Sequence, residues 1–143
     1  MVTVLFTCVH NAGRSQIAAS LFNQQADLSR ARAVSAGTRP ADRVHPEVVQ
    51  AMSEEGIDLS STRPQLLTAA LAETAQLLIT MGCGDECPHV PGLARDDWPL
   101  PDPKGQTLEG VRMIREDIRA HVARLLRDNG WERPPAPPPI PER

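Results

Sequence analysis

Tyrosine is missing from this chain, and phenylalanine and tryptophan occur only twice each. Lysine and arginine are scattered, with no stripe of basic residues interleaved with aromatics. The net charge is −3, so nothing here points to a nucleic-acid partner. No apolar run approaches the ~20 residues of a membrane span, and no charged leader with a cleavage site opens the chain. Cysteine is also scarce. Three cysteines in 143 residues do not make a secreted disulfide framework. The expectation is a cytoplasmic protein, away from membranes, in which cysteine serves chemistry more than structure.

What is present has a regular order. Val2 to Phe6 is a continuous apolar run, as in a strand buried on both faces. From Ser15 the period changes, and Ile17, Ala18, Leu21 and Phe22 mark one face of a helix reaching about Asp27. Arg32 to Ala36 reads as a second strand. Pro46 opens a helix that runs to Gly56, and Pro64 opens another that runs to about Ala72. Leu77 to Met81 is a further buried strand, and a short strand is expected near Trp98. Leu108 to Leu126 carries a long last helix. This alternation predicts an α/β fold, a four-stranded parallel sheet with helices on both faces. Residues 1–130 form the expected single domain. Residues 131–143, proline-rich from Pro134, form an expected disordered tail.

One stretch carries the chemistry. In "TCVHNAGRSQ", Cys8 follows the first strand and stands six residues before Arg14, where the next helix begins. Such a strand–turn–helix presents backbone N–H groups and a helix N-terminus, which together make an oxyanion cradle from Val9, His10, Asn11, Ala12, Gly13 and Arg14. Asn11 tolerates the left-handed conformation, and Gly13 supplies freedom at a positive φ. Arg14 adds a planar fork suited to two oxygens of a tetrahedral anion. The same field favours Cys8 as a thiolate, with Ser15 hydrogen-bonding it. The reading is a nucleophile at the floor of an oxyanion cradle.

"CVHNAGRS" resembles the C-x5-R-S loop of the low-molecular-weight protein tyrosine phosphatase superfamily, which includes arsenate reductases. The resemblance extends over roughly residues 2–127 and takes in "SAGT" at 35–38, "GIDLSSTRPQ" at 56–65 and Asp102-Pro103. It implies Cys8 as nucleophile, Arg14 as oxyanion clamp and Asp102 as general acid. Asp96 and Asp97 are the weaker candidates for that last role. Within the superfamily the residues favour a reductase. A phosphotyrosine pocket needs aromatic walls, and only Trp98 is left to supply one. Lys104 follows Asp102-Pro103 where the phosphatases carry tyrosine. Cys83 and Cys87 follow the third strand, on the sheet edge that holds Cys8.

The implied function is reduction of arsenate to arsenite for arsenic detoxification, with phosphate or sulfate as mimics of the substrate. No tightly bound cofactor is expected. Electrons would come from thioredoxin through a Cys8–Cys83–Cys87 disulfide relay, or from a low-molecular-weight thiol of the mycothiol type with a redoxin. The alternatives are a low-molecular-weight tyrosine phosphatase and a non-catalytic oxyanion-binding or thiol-sensing module. Cys83, Cys87 and His89 have poor spacing for zinc, so no resident catalytic or structural metal is expected. Some thioredoxin-coupled members hold potassium. Asn11 and Ser35 match that site, but Gln65 stands where an aspartate is expected.

Overall fold

Strand β1 (Val2–Cys8) forms because its residues are apolar or β-branched and every one from Thr3 to Cys8 is buried. A computed structural model of the chain describes residues 1–82 and 90–134. Helix α1 (Arg14–Gln25) is followed by β2 (Ala31–Gly37), α2 (Pro46–Ser53), the short α3 (Ala69–Glu73), β3 (Leu77–Thr80), β4 (Ala94–Asp97) and the long α4 (Leu108–Asn129). The sheet order is β2-β1-β3-β4 and every pairing is parallel. The chain therefore leaves β1 toward one edge and returns to its other side. That reversal places a topological switch point at the carboxyl end of β1, where Cys8 ends the strand.

The two sheet faces are unequal. Val4, Phe6 and Cys8 share the larger core with α1, α2 and α4, whereas Leu5 joins Ala36, Ala72, Ala75 and Leu78 in a smaller cluster beneath α3. Phe6 is fully buried and touches both Phe22 and Trp98, with ring centroids 6.0 and 5.4 Å away. Arg115 clamps α4 to α2 by donating to the Ala51 carbonyl at 2.7 Å and to Glu54 at 2.8 Å. Hydrogen bonds from Arg112 and Arg115 lower the Glu54 carboxyl to about 2.

The helix expected from Pro64 starts later. Thr68 caps α3 by accepting the Leu71 N–H, so residues 64–67 lie outside it. Their backbone instead extends β2 sideways. Gly37 N–H donates to the Gln65 carbonyl at 2.9 Å, and Leu67 N–H donates to the Gly37 carbonyl at 2.8 Å. At the other end of the chain, Trp131 packs edge-on against Phe22, and Arg133 N–H reaches the Gln25 carbonyl at 2.9 Å.

Candidate active site

The turn after β1 is shaped by where its carbonyls go. Val9, His10 and Ala12 carbonyls accept from Arg39, Ala41 and His45 N–H groups at 2.8, 2.9 and 3.0 Å. The Asn11 carbonyl accepts from Gln16 Nε2 at 3.1 Å. In a trans peptide the C=O and the next N–H point in opposite directions. With four successive carbonyls tied outward, the N–H groups of His10 to Gly13 are turned to the inside of the turn. Helix α1 has no side-chain cap, so its first N–H groups stay available to an anion.

Beneath the turn, a chain of hydrogen bonds fixes a proton. Asn11 has φ 50 and is fully buried. Its Oδ1 accepts the Gln65 N–H at 3.0 Å, and a backbone N–H can only donate, so Nδ2 must be the atom facing Ser15. Nδ2 donates to Ser15 Oγ at 2.7 Å, which leaves the hydroxyl proton free for Cys8 Sγ at 2.9 Å. Ser15 is therefore placed to donate to the sulfur.

Arg14 is 7% exposed and reaches across to the loop after β4. One Nη donates to the Leu100 carbonyl at 3.0 Å, and the other lies 3.8 Å from Asp102 Oδ2. Arg14 Nε is buried without an acceptor among the described residues. Leaving such a donor unpaired costs about 1–3 kcal/mol, which an anion accepting from it would recover. Asp102 sits at the mouth with its side chain 45% exposed, and its Oδ1 accepts the Lys104 N–H at 2.9 Å in an Asx turn. Pro103 packs over Gly13, where an added Cβ would lie 2.4 Å from the proline Cγ. Gly13 is thus required by close approach rather than by a positive φ, its φ being −140.

A family model described as low-molecular-weight phosphotyrosine protein phosphatase matches residues 3–132. The chain belongs to that family. Its relatives include a Halobacterium salinarum protein provisionally named an arsenate reductase, 39% identical over 125 residues, covering 85% of this chain and 88% of that one. The glutaredoxin arsenate reductase of Synechocystis is 33% identical over 129 residues, covering 88% and 97%. A solved thioredoxin-dependent arsenate reductase from Corynebacterium glutamicum superposes with a TM-score of 0.76 at 40% identity. That match covers 90% of this chain but only 61% of the Corynebacterium chain.

Within this phosphatase-family fold, the other sequence candidates sort by position. Asp97 accepts from Thr80 Oγ1 at 2.7 Å and Asp96 accepts from Trp98 Nε1 at 3.3 Å, so both carboxylates tie β4 in place. Trp98 does not wall the cradle. It is 5% exposed, held between Phe6 and His121, with the His121 ring stacked 4.9 Å away. Cys83, Cys87 and His89 lie outside the described residues. Among the described residues no group of acidic, histidine or cysteine side chains is arranged to hold a metal ion.

The potassium site of some family members does not fit these residues. Oxygens of the two matching residues already accept N–H donors: Asn11 Oδ1 from Gln65 N and Gln16 Nε2, and the Ser35 carbonyl from Gln65 Nε2 at 2.7 Å. Sequence reasoning noticed Gln65 only as the replacement of an aspartate, and it missed Gln16. For Gln16 the available signal was a polar residue in the apolar-facing first turn of α1.

His45, the N-cap of α2, lies beside Gly13. Burial lowers its pKa despite the opposing pull of Asp102. The folded protein therefore binds this proton less tightly than the unfolded chain, and stability falls as the pH drops below the unfolded value of about 6.5. His45→Gln should lose less stability than the wild type between neutral pH and about pH 5. Urea unfolding at both pH values checks this, and equal losses would contradict it.

Proposed function

We propose that this protein is an arsenate reductase in which Cys8 attacks the arsenic and Arg14 clamps the oxyanion. The observation that carries the proposal is a cradle built for an anion, with a buried donor left over at Arg14 Nε and, among the described residues, no Phe or Trp ring along its wall. Phe6, Phe22 and Trp98 are core residues, and the partly buried Trp131 packs against that core. A small inorganic oxyanion needs no such wall, whereas an aryl phosphate does. The family relatives that carry the name arsenate reductase point the same way.

Arsenate occupies the inside of the turn, held by loop N–H groups and by Arg14. Cys8 Sγ, hydrogen-bonded to the Ser15 hydroxyl, attacks as the thiolate and forms a bond to arsenic. Asp102, at the mouth beside Arg14, delivers a proton to the departing hydroxyl, which leaves as water. A second thiolate then attacks Cys8 Sγ. The sulfur–arsenic pair stays on arsenic, reducing it from the +5 to the +3 state, and arsenite leaves as the disulfide forms. That thiol is Cys83, with Cys87 relaying the disulfide to thioredoxin, or a mycothiol-type thiol acting with a redoxin. Phosphate, having the same shape and charge, is a competing ligand.

Asp102→Asn should lower kcat for arsenate about a hundredfold, the low end for a general acid, because its carboxyl is half exposed and water can substitute in part. Steady-state kinetics with the chain unchanged in melting temperature checks it. The proposal itself is tested by arsenite formation from arsenate with purified protein, run separately with a thioredoxin system and with a low-molecular-weight thiol and its redoxin. Turnover with at least one system is expected. Phosphatase activity without arsenite production in either would refute it.

A further inference from the structure

Two carboxamides occupy a polar layer directly beneath the cradle. Gln16 is 5% exposed, and its Nε2 donates to both the Asn11 carbonyl and Asn11 Oδ1, at 3.1 and 3.0 Å. Gln65 lies at the surface, but its two ends reach inward. Its backbone N–H holds Asn11 Oδ1 at 3.0 Å, and its Nε2 holds the Ser35 carbonyl at 2.7 Å. Both acceptors are carbonyl oxygens that can only accept, so the amide orientations are fixed by chemistry.

These contacts converge on one residue. Asn11 is in the left-handed region at φ 50, an uncommon conformation that persists only when its surroundings enforce it. Through Nδ2 it then orients Ser15, and through Ser15 it orients the proton at Cys8. A cation placed among the Asn11 and Ser35 oxygens would provide the same convergence by another means. Here the positive ends of two amide dipoles fill those positions.

We propose that the Gln16 and Gln65 carboxamides replace a monovalent cation as the lock beneath the phosphate-type loop, making Gln65 a positioning residue for Cys8. The inference rests on Cys8 being the reactive thiol. It leads to a chain whose stability and cysteine reactivity do not depend on potassium. Gln65 is the residue to change, because its surface position leaves folding intact.

The test measures melting temperature and the rate of Cys8 alkylation by iodoacetamide, in equal concentrations of potassium chloride and choline chloride. Neither readout uses arsenate, so failure here is distinct from failure of the reductase assignment. The wild type should give the same values in both salts. Gln65→Met keeps the length but loses the donor, and should alkylate about fivefold more slowly at neutral pH in both salts. Gln65→Glu sets an oxygen against the Ser35 carbonyl. It should be equally slow in choline and recover in potassium. A wild type that gains stability or reactivity from potassium would overturn the proposal. So would a Gln65→Met protein that alkylates at the wild-type rate, or a Gln65→Glu protein that potassium does not restore.

Discussion

Arg14→Lys should lower kcat/KM for arsenate about a thousandfold while the protein stays folded. Arg14 performs two jobs with separate nitrogens. One Nη is spent on the Leu100 carbonyl, and that contact holds the loop carrying Asp102 and Pro103 over the cradle. Nε and the second Nη remain for the anion, and Nε has no other acceptor among the described residues. Lysine brings a single ammonium, which cannot hold Leu100 and also present a planar pair of donors to an oxyanion. Its charge is kept, so long-range attraction of arsenate survives and the loss reports geometry. Helix α1 should tolerate the change, since lysine and arginine have similar helix propensities. Steady-state kinetics beside a melting curve checks this. Wild-type efficiency in the variant would remove the clamp from the mechanism.

Cys83→Ser should abolish arsenite turnover when thioredoxin is the reductant, because arsenite leaves only as the Cys8 disulfide forms. Strand β3 runs parallel to β1 with Thr80 opposite Thr7, and Met81 N–H donates to the Thr7 carbonyl at 2.9 Å. The chain thus leaves β3 at the level of Cys8. Gly82, at φ 75, passes so close to Arg14 that an added Cβ would lie 2.7 Å from its guanidinium. Cys83 is the next residue along. In the proposed relay its thiol is the first to receive the Cys8 sulfur, so the variant should pass no electrons on to Cys87. Cys87→Ser should instead trap a Cys8–Cys83 disulfide, visible by mass spectrometry after one addition of arsenate. If a small thiol attacks Cys8 directly, both variants keep most of their activity with that thiol and its redoxin. Full thioredoxin-coupled turnover by the Cys83→Ser, Cys87→Ser double variant would exclude the relay.

Strands β1 and β3 were legible because they are short apolar runs bounded by turns, unlike the polar, exposed β4, and the loop because Cys8, Arg14 and Ser15 stand at a strand–helix junction. Asn11 was legible for the same reason, as a residue that accepts a left-handed φ. The misreadings share a cause: contacts distant in sequence. Leu66, Leu67, Ala70 and Leu71 have helical spacing, yet the first two lie in a segment that pairs with Gly37. Gly13 was assigned to backbone freedom, when the constraint is Pro103, 90 residues further along. Trp98 looked available for a pocket wall until Phe6 and His121 closed on its two sides. Gln16 and Gln65 act through carboxamides whose partners no local pattern displays.

The central claim is that Cys8 reduces arsenate by becoming part of a disulfide. Fully reduced protein is mixed with one equivalent of arsenate, alone or with one equivalent of a low-molecular-weight thiol, then alkylated and analysed by mass spectrometry while arsenite is measured. The account predicts arsenite in step with the loss of alkylatable Cys8, its sulfur bound to Cys83 or to the added thiol, and neither product from Cys8→Ser. Arsenate that leaves all three cysteines alkylatable and yields no arsenite, from protein that still hydrolyses an aryl phosphate, would contradict it.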